Sequence, residues 1–299
     1  MFTDWNTFHC LAARRFWLNL WEEMKQDDCL GMAAQLSFYF LLAFFPFLIF
    51  LSSLTGFILK DPELIHKILM ELQNFLPSDT HNAVREIALD LITIESSGFL
   101  SFWIVLSLWW ASFGFSAMVG VLNKAYDIKE NRSYYRVRLL AIGVTIMASL
   151  FVIISGILLF FGDGIIQLLS HRITIEPYPS FQNHLKVVYS LSHWIIIFLL
   201  LNLAMEIVYL VLPARRLAWT FFSPGSVIAT LGCILGSRGF ALYVNQVAQH
   251  YEYYQNLYGS LATLLLLMIW FYISSFFLLL GGEINSETYR WQTQKNLKG

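Results

Sequence analysis

Charged residues are scarce in this chain. Only 13% of its 299 residues are Asp, Glu, Lys or Arg, whereas soluble globular domains usually have about 25%. The net charge of −1 gives no reason to expect nucleic acid as a partner. The composition is 57% hydrophobic and 17% aromatic, and this indicates a membrane protein.

Cysteine and the known catalytic motifs are scarce as well. The three cysteines, Cys10, Cys29 and Cys233, match no disulfide framework or zinc spacing. The sequence contains no HExxH, no GxSxG, no glycine-rich phosphate loop and no Asp, Glu and His cluster for two metals. We therefore expect no enzyme activity, no metal site and no cofactor.

Long apolar runs, in contrast, are plentiful. Six of them are long enough to cross about 30 Å of hydrocarbon as helices. They do not alternate as the strands of a membrane barrel do, so the predicted fold class is all-α, a polytopic membrane protein with one integral membrane domain, residues 1–299. The predicted spans are about 36–59, 98–122, 139–162, 187–212, 222–247 and 259–282.

The distribution of Lys and Arg predicts the orientation of these spans. Thirteen of the 19 basic residues fall on the side of the two termini, five fall on the other side, and Arg238 lies inside span 5. Since basic loops stay in the cytoplasm, both termini are predicted to be cytoplasmic.

Two segments outside the spans carry helical patterns. Residues 5–26 combine tryptophans with charges, and we place this helix on the cytoplasmic membrane surface, with packing on the ends of the spans as an equal alternative. Residues 61–97 predict an external helical hairpin with an apolar underside, interrupted by Pro77. That underside could cover a cavity mouth, lie on lipid or form an oligomer contact, so a homo-oligomer stays open.

Proline and small residues mark two further features of the spans. Pro46 lies in the middle of span 1. Because it lacks an N–H and clashes with the preceding turn, we expect a kink there, and Pro46 is a candidate for a role in gating. In span 5 a stripe of small residues predicts close packing of two helices. The stripe consists of Gly225, Ala229, Gly232 and Gly236.

Polar residues at membrane depth are functional candidates because they are costly there. Asn202 and Glu206 are four residues apart, hence on one face, with Tyr209 close to it. Arg238 and Asn245 share a face of span 5. Because Glu206 and Arg238 differ by roughly 15 Å in depth, we interpret them as separate positions lining one hydrated cleft. For Glu206, the alternative is snorkelling or a protonated acid bonded to a neighbouring helix.

Several stretches resemble one known family in order and spacing, over about residues 10–290. They are "AAQLSFYFLLAFFPFLI", "LNKAYDIKENR", "VYLVLPARRLAW" and "YGSLATLLLLMIWFYISSFFLLLGGEINSE". The chain resembles the YihY/BrkB family of bacterial inner-membrane proteins, formerly labelled ribonuclease BN. The resemblance implies six membrane helices with both ends inside, a link to envelope integrity and, for some members, lipid export or flipping. It also implies a shared basic residue near Arg238, whereas Glu206 has no acidic counterpart in the family pattern.

These observations lead to one main functional expectation. The chain is expected to be a non-enzymatic protein of the inner membrane that moves or holds a lipid-like amphiphile, with Arg238 meeting an anionic headgroup. The alternative is a scaffold that anchors an envelope protein complex through residues 61–97. A channel for ions or solutes is the weaker alternative, since no acidic ring or filter-like glycine run is present.

Overall fold

The computed structural model of the chain describes residues 11, 13–59, 97–172, 179–214, 222–248 and 260–296. Most of these residues are helical, the others form turns and short loops, and none of them forms a strand. Nearly all of the predicted hairpin at 61–97, and residues 5–10 of the predicted interfacial helix, lie outside the described residues.

Seven helices account for most of the described chain. They are α1 Arg14–Gln26, α2 Cys29–Leu59, α3 Ser97–Ala125, α4 Tyr134–Arg172, α5 Pro179–Val211, α6 Pro224–Ala248 and α7 Ser260–Asn296. Helices α2 to α7 are each long and apolar enough to cross a membrane. The predicted all-α fold with six spans is thereby confirmed.

The helices extend beyond the apolar runs from which they were predicted. Helix α2 begins at Cys29 and not near residue 36, and α7 continues to Asn296 and not to residue 282. Backbone hydrogen bonding propagates a helix through polar residues as readily as through apolar ones, so hydropathy marks the membrane-crossing part of a helix and not its ends. Pro46 lies inside α2 and does not end it, since the helix continues to Leu59.

A tight turn connects α1 to α2. Asp28 adopts a left-handed backbone conformation with φ of 53°, which Asp tolerates better than most residues. Its side chain then caps the start of α2, because Gly31 N donates to Asp28 Oδ1 at 3.3 Å. Its main-chain carbonyl accepts from Met32 N at 2.9 Å. Asp28, the charged residue directly before the first residue of α2, therefore caps this helix.

The chain divides into two compact units. Unit 1 comprises Met1–Phe47, Ser107–Thr145 and Asn202–Gly299, and unit 2 comprises Leu48–Leu106 and Ile146–Leu201. In unit 1 the fully buried core includes Leu36, Leu122, Leu212 and Leu279. In unit 2, Phe50 and Ile153 are buried, and Ser53 Oγ donates to the Ile49 carbonyl at 2.8 Å, a bond that satisfies a hydroxyl within its own helix.

Helix α1 presents two different faces. Phe16 and Leu20 are buried against Ile284 of α7. Trp17 and Trp21 are about half exposed, and Lys25 Nζ lies 5.0 Å from the Trp21 ring centroid. The described part of this helix thus packs on α7 along one side and leaves a tryptophan-rich side uncovered.

Candidate functional site

A cleft of about 600 Å³ lies between α2 and α3 in unit 1. Its lining residues recur every three or four positions on each helix, as expected of two facing helical stripes. The helices are antiparallel here, since the start of α2 and the end of α3 meet at the same end of the cleft. From α2 and its cap the lining comprises Asp28, Gly31, Met32, Gln35, Leu36 and Tyr39, and from α3 Phe113, Ser116, Ala117, Gly120, Val121 and Lys124. We call this the α2–α3 cleft.

Polar and apolar groups are arranged unevenly along the α2–α3 cleft. Asp28 and Lys124 form its charged end, about 16 Å along α2 from Tyr39 at 1.5 Å per residue. The Lys124 ammonium also donates to the Asp27 carbonyl, which fixes its position near the turn. Between the two ends, apolar side chains such as Leu36 and Val121 alternate with the polar side chains of Gln35 and Ser116. The cleft therefore has the amphiphilic lining that a lipid-like molecule requires.

Gly120 leaves space in the α2–α3 cleft. It is exposed, and a Cβ atom built on it would meet no atom within 4 Å. Gly143 of α4, which does not line the cleft, also has nothing within 4 Å of its Cβ position. A Cβ atom is therefore accommodated at either position without a clash, but only residue 120 lines the cleft.

A second polar site surrounds Glu206, which is 6% exposed. Ser226 Oγ donates to Glu206 Oε1 at 2.7 Å, and Asn202 Nδ2 donates to Ser226 Oγ at 3.0 Å. Ser223 N also donates to Glu206 Oε1, at 2.5 Å. Since Ser223 precedes the first residue of α6, the carboxylate lies at the N-terminus of α6, where the helix dipole favours a negative charge.

The other backbone N–H groups described in the first turn of α6 also have hydrogen-bond acceptors. Ser226 N donates to Ser223 Oγ at 3.2 Å, which is an N-cap bond. Pro224, at the first helical position, has no N–H to satisfy. Gly225 N donates to Asn285 Oδ1 at 2.8 Å, and Asn285 Nδ2 donates to Ser223 Oγ at 3.1 Å. The polar residues around Glu206 thus hold the start of one span against its neighbours.

Tyr209 and the small-residue stripe of α6 pack along α7. Tyr209 is 2% exposed, and its hydroxyl donates to the Leu278 carbonyl at 2.7 Å. A Cβ atom on Gly225 would collide with the Gly281 carbonyl, and one on Gly232 would collide with the Phe277 ring. Gly236 lies against Ile273 and Phe277 in the same way, and Ala229 is fully buried.

Arg238 lies apart from the Glu206 site. It is twelve residues beyond Ser226 on α6, which corresponds to about 18 Å along the helix axis, and it is exposed. The side chain of Asn245 lies outside the described residues. Of the five predicted cleft residues, the structure therefore brings Asn202 and Glu206 together through Ser226, packs Tyr209 of α5 against α7, and leaves Arg238 at a distance from them.

The loop between α3 and α4 is held by a separate set of hydrogen bonds. Asn123 Oδ1 accepts from Ala214 N at 2.7 Å, and Asn123 Nδ2 donates to Glu130 Oε2 at 2.7 Å. Arg132 donates through Nε and Nη2 to Glu130, and through Nη2 to the Leu212 carbonyl at 2.8 Å. The hydrogen bonds from Arg132 lower the pKa of Glu130 to about 2. The stretch "LNKAYDIKENR" therefore fixes the loop and the end of α5.

Three carboxylates approach one another beside α1. One oxygen each from Glu23, Asp27 and Asp127 lies within 4.8 Å of the others. Arg290 of α7 donates to Glu23 at 2.5 Å and also to Asp127, so a guanidinium already supplies positive charge to this group. Burial raises the pKa of Asp27, against the lowering effect of Lys124. We assign this group to the packing of α1 on α7.

Arg138 of α4 is buried, with 3% of its surface exposed. Its Nη2 donates to the Trp109 carbonyl at 2.5 Å. Its Cζ lies 4.2 Å from the Trp109 ring centroid and 3.9 Å from that of Phe113, and its Nε has no hydrogen-bond partner. Across the described part of the chain, no Asp or Glu oxygen lies within 4.0 Å of this guanidinium.

Sequence reasoning missed both Arg138 and the α2–α3 cleft. Arg138 was counted only among the basic loop residues that set the orientation, because its burial depends on rings contributed by another helix. The cleft carries a weak sequence signal, namely the polar residues Gln35 and Tyr39 in an apolar run and the glycine of "MVGVLNK". Neither pattern reveals that the two helix faces meet.

Comparison with known proteins gives a consistent family match. The family described as "Virulence factor BrkB" matches residues 20–299. The protein YfkH of Bacillus subtilis, whose name describes it as ribonuclease-like, is 35% identical over 254 residues, covering 85% of this chain and 88% of YfkH. A UPF0761 membrane protein of Tolumonas auensis is 24% identical over 294 residues, covering 97% of this chain and 90% of that protein. No solved structure matches the chain.

Proposed function

The chain belongs to the BrkB virulence-factor family of membrane proteins, and from this premise we propose that it holds and transfers a lipid-like amphiphile through the α2–α3 cleft. The amphiphilic lining of that cleft is the observation that carries the proposal. A volume of about 600 Å³ falls within the range of small-molecule sites, which are mostly apolar with a few polar groups that orient the ligand.

The charged end of the cleft orients the amphiphile. Lys124 and Asp28 lie where a polar headgroup enters, and the wall beyond them combines apolar side chains with Gln35 and Ser116. Phe38 and Leu42, on neighbouring positions of α2, are about half exposed, as is usual for residues that contact lipid. An acyl chain thus has an apolar surface along α2 on its way to the cleft.

The location proposed for the protein is the inner membrane, with both termini in the cytoplasm. The excess of Lys and Arg on the side of the termini supports this orientation. Lys124 and Asp28 lie at that same side, so the charged end of the cleft faces the headgroups of the cytoplasmic leaflet.

We propose that this protein is not an enzyme. The word ribonuclease in the name of YfkH describes that relative, and we do not carry it over, because the sequence has no catalytic motif for hydrolysis. The scaffold alternative depends on residues 61–97, nearly all of which lie outside the described residues, and no observation favours the channel. Arg238 and Asn245 stay candidates for further contacts with the amphiphile.

A substitution of Gly120 tests the cleft directly. Gly120→Phe introduces a ring at a position that lines the cleft, where a Cβ atom meets nothing within 4 Å. We expect transfer of a fluorescent phospholipid between the leaflets of proteoliposomes to fall about tenfold or more, the effect of losing about 1.4 kcal/mol of binding.

Gly143→Phe is the matched control, because it adds the same ring at an exposed helix position with equal space. Its transfer rate is expected to equal that of the wild type. Equal rates for Gly120→Phe and Gly143→Phe would remove the α2–α3 cleft from the transfer path.

A further inference from the structure

Arg138 carries a charge that its described surroundings satisfy only in part. A guanidinium has five N–H donors and does not lose its proton in proteins. Here one carbonyl and two ring faces are its partners, and Nε has none. Burying a cation away from an anion is costly, and ring faces attract it less strongly than a carboxylate or phosphate would.

Arg132 shows how this chain satisfies a guanidinium when the role is structural. Its Nε and Nη2 both bond the Glu130 carboxylate, and Nη2 also reaches a main-chain carbonyl. Arg138 has the main-chain carbonyl but no carboxylate among the described residues. The difference points to an anion that is not part of the chain.

Phe113 connects Arg138 to the α2–α3 cleft. The Phe113 ring lines the cleft and its centroid lies 3.9 Å from the Arg138 guanidinium. For the guanidinium to contact an occupant of the cleft, this one side chain has to rotate. Side-chain rotation of an aromatic ring that borders a cleft needs no movement of the backbone.

We propose that Arg138 binds the anionic headgroup, a phosphate ester, of the amphiphile in the α2–α3 cleft. This inference rests on the function proposed above and names its substrate class. The planar guanidinium matches two phosphate oxygens at once. Lys124 lies about 16 Å from Phe113 along α3, at the other end of the cleft, and adds a positive charge where the headgroup enters. A neutral or zwitterionic amphiphile gains less from either residue.

Isothermal titration calorimetry on the full chain in a neutral detergent tests this assignment. The probes are dihexanoyl phosphatidic acid, dihexanoyl phosphatidylcholine and inorganic phosphate. We expect the wild type to bind the phosphatidic acid more tightly than the other two, and Arg138→Met to weaken that binding about tenfold or more. Arg136→Met, at an exposed position of the same helix, is the control and is expected to change the affinity less than about twofold.

The thermal unfolding midpoint separates binding from a merely structural role. Phosphatidic acid is expected to raise the midpoint of the wild type and of Arg138→Lys, which keeps the charge, but not that of Arg138→Met. A lower midpoint for Arg138→Met without ligand, together with no effect of phosphatidic acid on the wild type, would assign Arg138 to packing alone. The lysine variant keeps the test decisive if the methionine variant does not fold.

The remaining outcomes separate this inference from the proposed function. Equal affinity of Arg138→Met and wild type for phosphatidic acid would overturn the headgroup assignment and leave the cleft in place. Equally tight binding of inorganic phosphate would identify a free anion as the ligand and overturn the amphiphile part. Transfer that is unaffected by Gly120→Phe would instead contradict the cleft itself.

Discussion

Two buried charged residues of unit 1, Glu206 and Arg138, differ in the hydrogen-bond partners that surround them. Their exposed fractions are similar, 6% and 3%. Glu206 accepts hydrogen bonds from Ser223 N and Ser226 Oγ at the N-terminus of a helix. Arg138 has one carbonyl and two rings, and its Nε has no partner. The comparison teaches that burial alone does not identify a functional charge, whereas the set of partners separates a charge that the chain itself satisfies from one for which we propose a ligand.

The largest expected effect comes from removing the Glu206 carboxylate. Glu206→Leu leaves the Ser223 N–H without its acceptor and leaves the Ser226 hydroxyl only the Ser223 carbonyl, 3.0 Å away. We expect a loss of about 1–3 kcal/mol in the free energy of unfolding. Glu206→Gln keeps one acceptor oxygen and should cost about 1 kcal/mol. Unfolding of the detergent-solubilised chain by a denaturing detergent measures both values.

The same experiment on Arg138→Met sharpens the contrast. Replacing a poorly matched buried charge by an apolar side chain is often neutral or stabilising, so its unfolding free energy should stay within about 1 kcal/mol of the wild type. If Arg138→Met were as destabilising as Glu206→Leu, the two charges would both be structural and the distinction would fail.

A smaller effect on the stability of the fold is expected from the ion pair of Glu130 and Arg132, which is partly exposed. The pKa of Glu130 is held at about 2, below its ordinary value of 4.5. The stabilisation is therefore complete above pH 4.5 and is lost as the pH falls through 4.5 toward 2. Glu130→Gln should abolish this part of the pH dependence, and the unfolding midpoints of variant and wild type should approach each other near the lower pH.

Solvent screening keeps this third effect small, because the side chain of Glu130 is 29% exposed. Unfolding midpoints measured from pH 7 downward provide the test. A gap between wild type and Glu130→Gln that stays constant over the whole range would show that the carboxylate contributes through packing and not through its charge.

The spans could be predicted from the sequence because hydropathy and length report directly on the bilayer. The ends of the helices could not. Residues after 282 in α7, such as Glu283 and Glu287, are polar, yet they are buried where α1 packs against α7. Their burial depends on contacts with residues more than 250 positions earlier in the chain, such as Asn19 and Cys29, and a local pattern does not contain that information.

The candidate site shows the same limit. Spacing by four placed Asn202 and Glu206 on one face, and both side chains interact with Ser226. The spacing does not identify Ser226, in the first turn of α6, as their partner. That contact depends on how α5 and α6 pack together. Arg138 looked like an ordinary basic loop residue for the same reason, since Trp109 and Phe113 come from another helix.

Photocrosslinking is the most direct test of the central claim, that an amphiphile occupies the α2–α3 cleft. A phosphatidic acid with a photoactivatable acyl chain is incorporated into nanodiscs with the full chain, and the adducts are mapped by mass spectrometry. The account predicts adducts concentrated on residues 31–39 and 113–121 and their loss in Gly120→Phe. Adducts spread equally over exposed leucines of α6, such as Leu231 and Leu235, and unchanged by Gly120→Phe would contradict it.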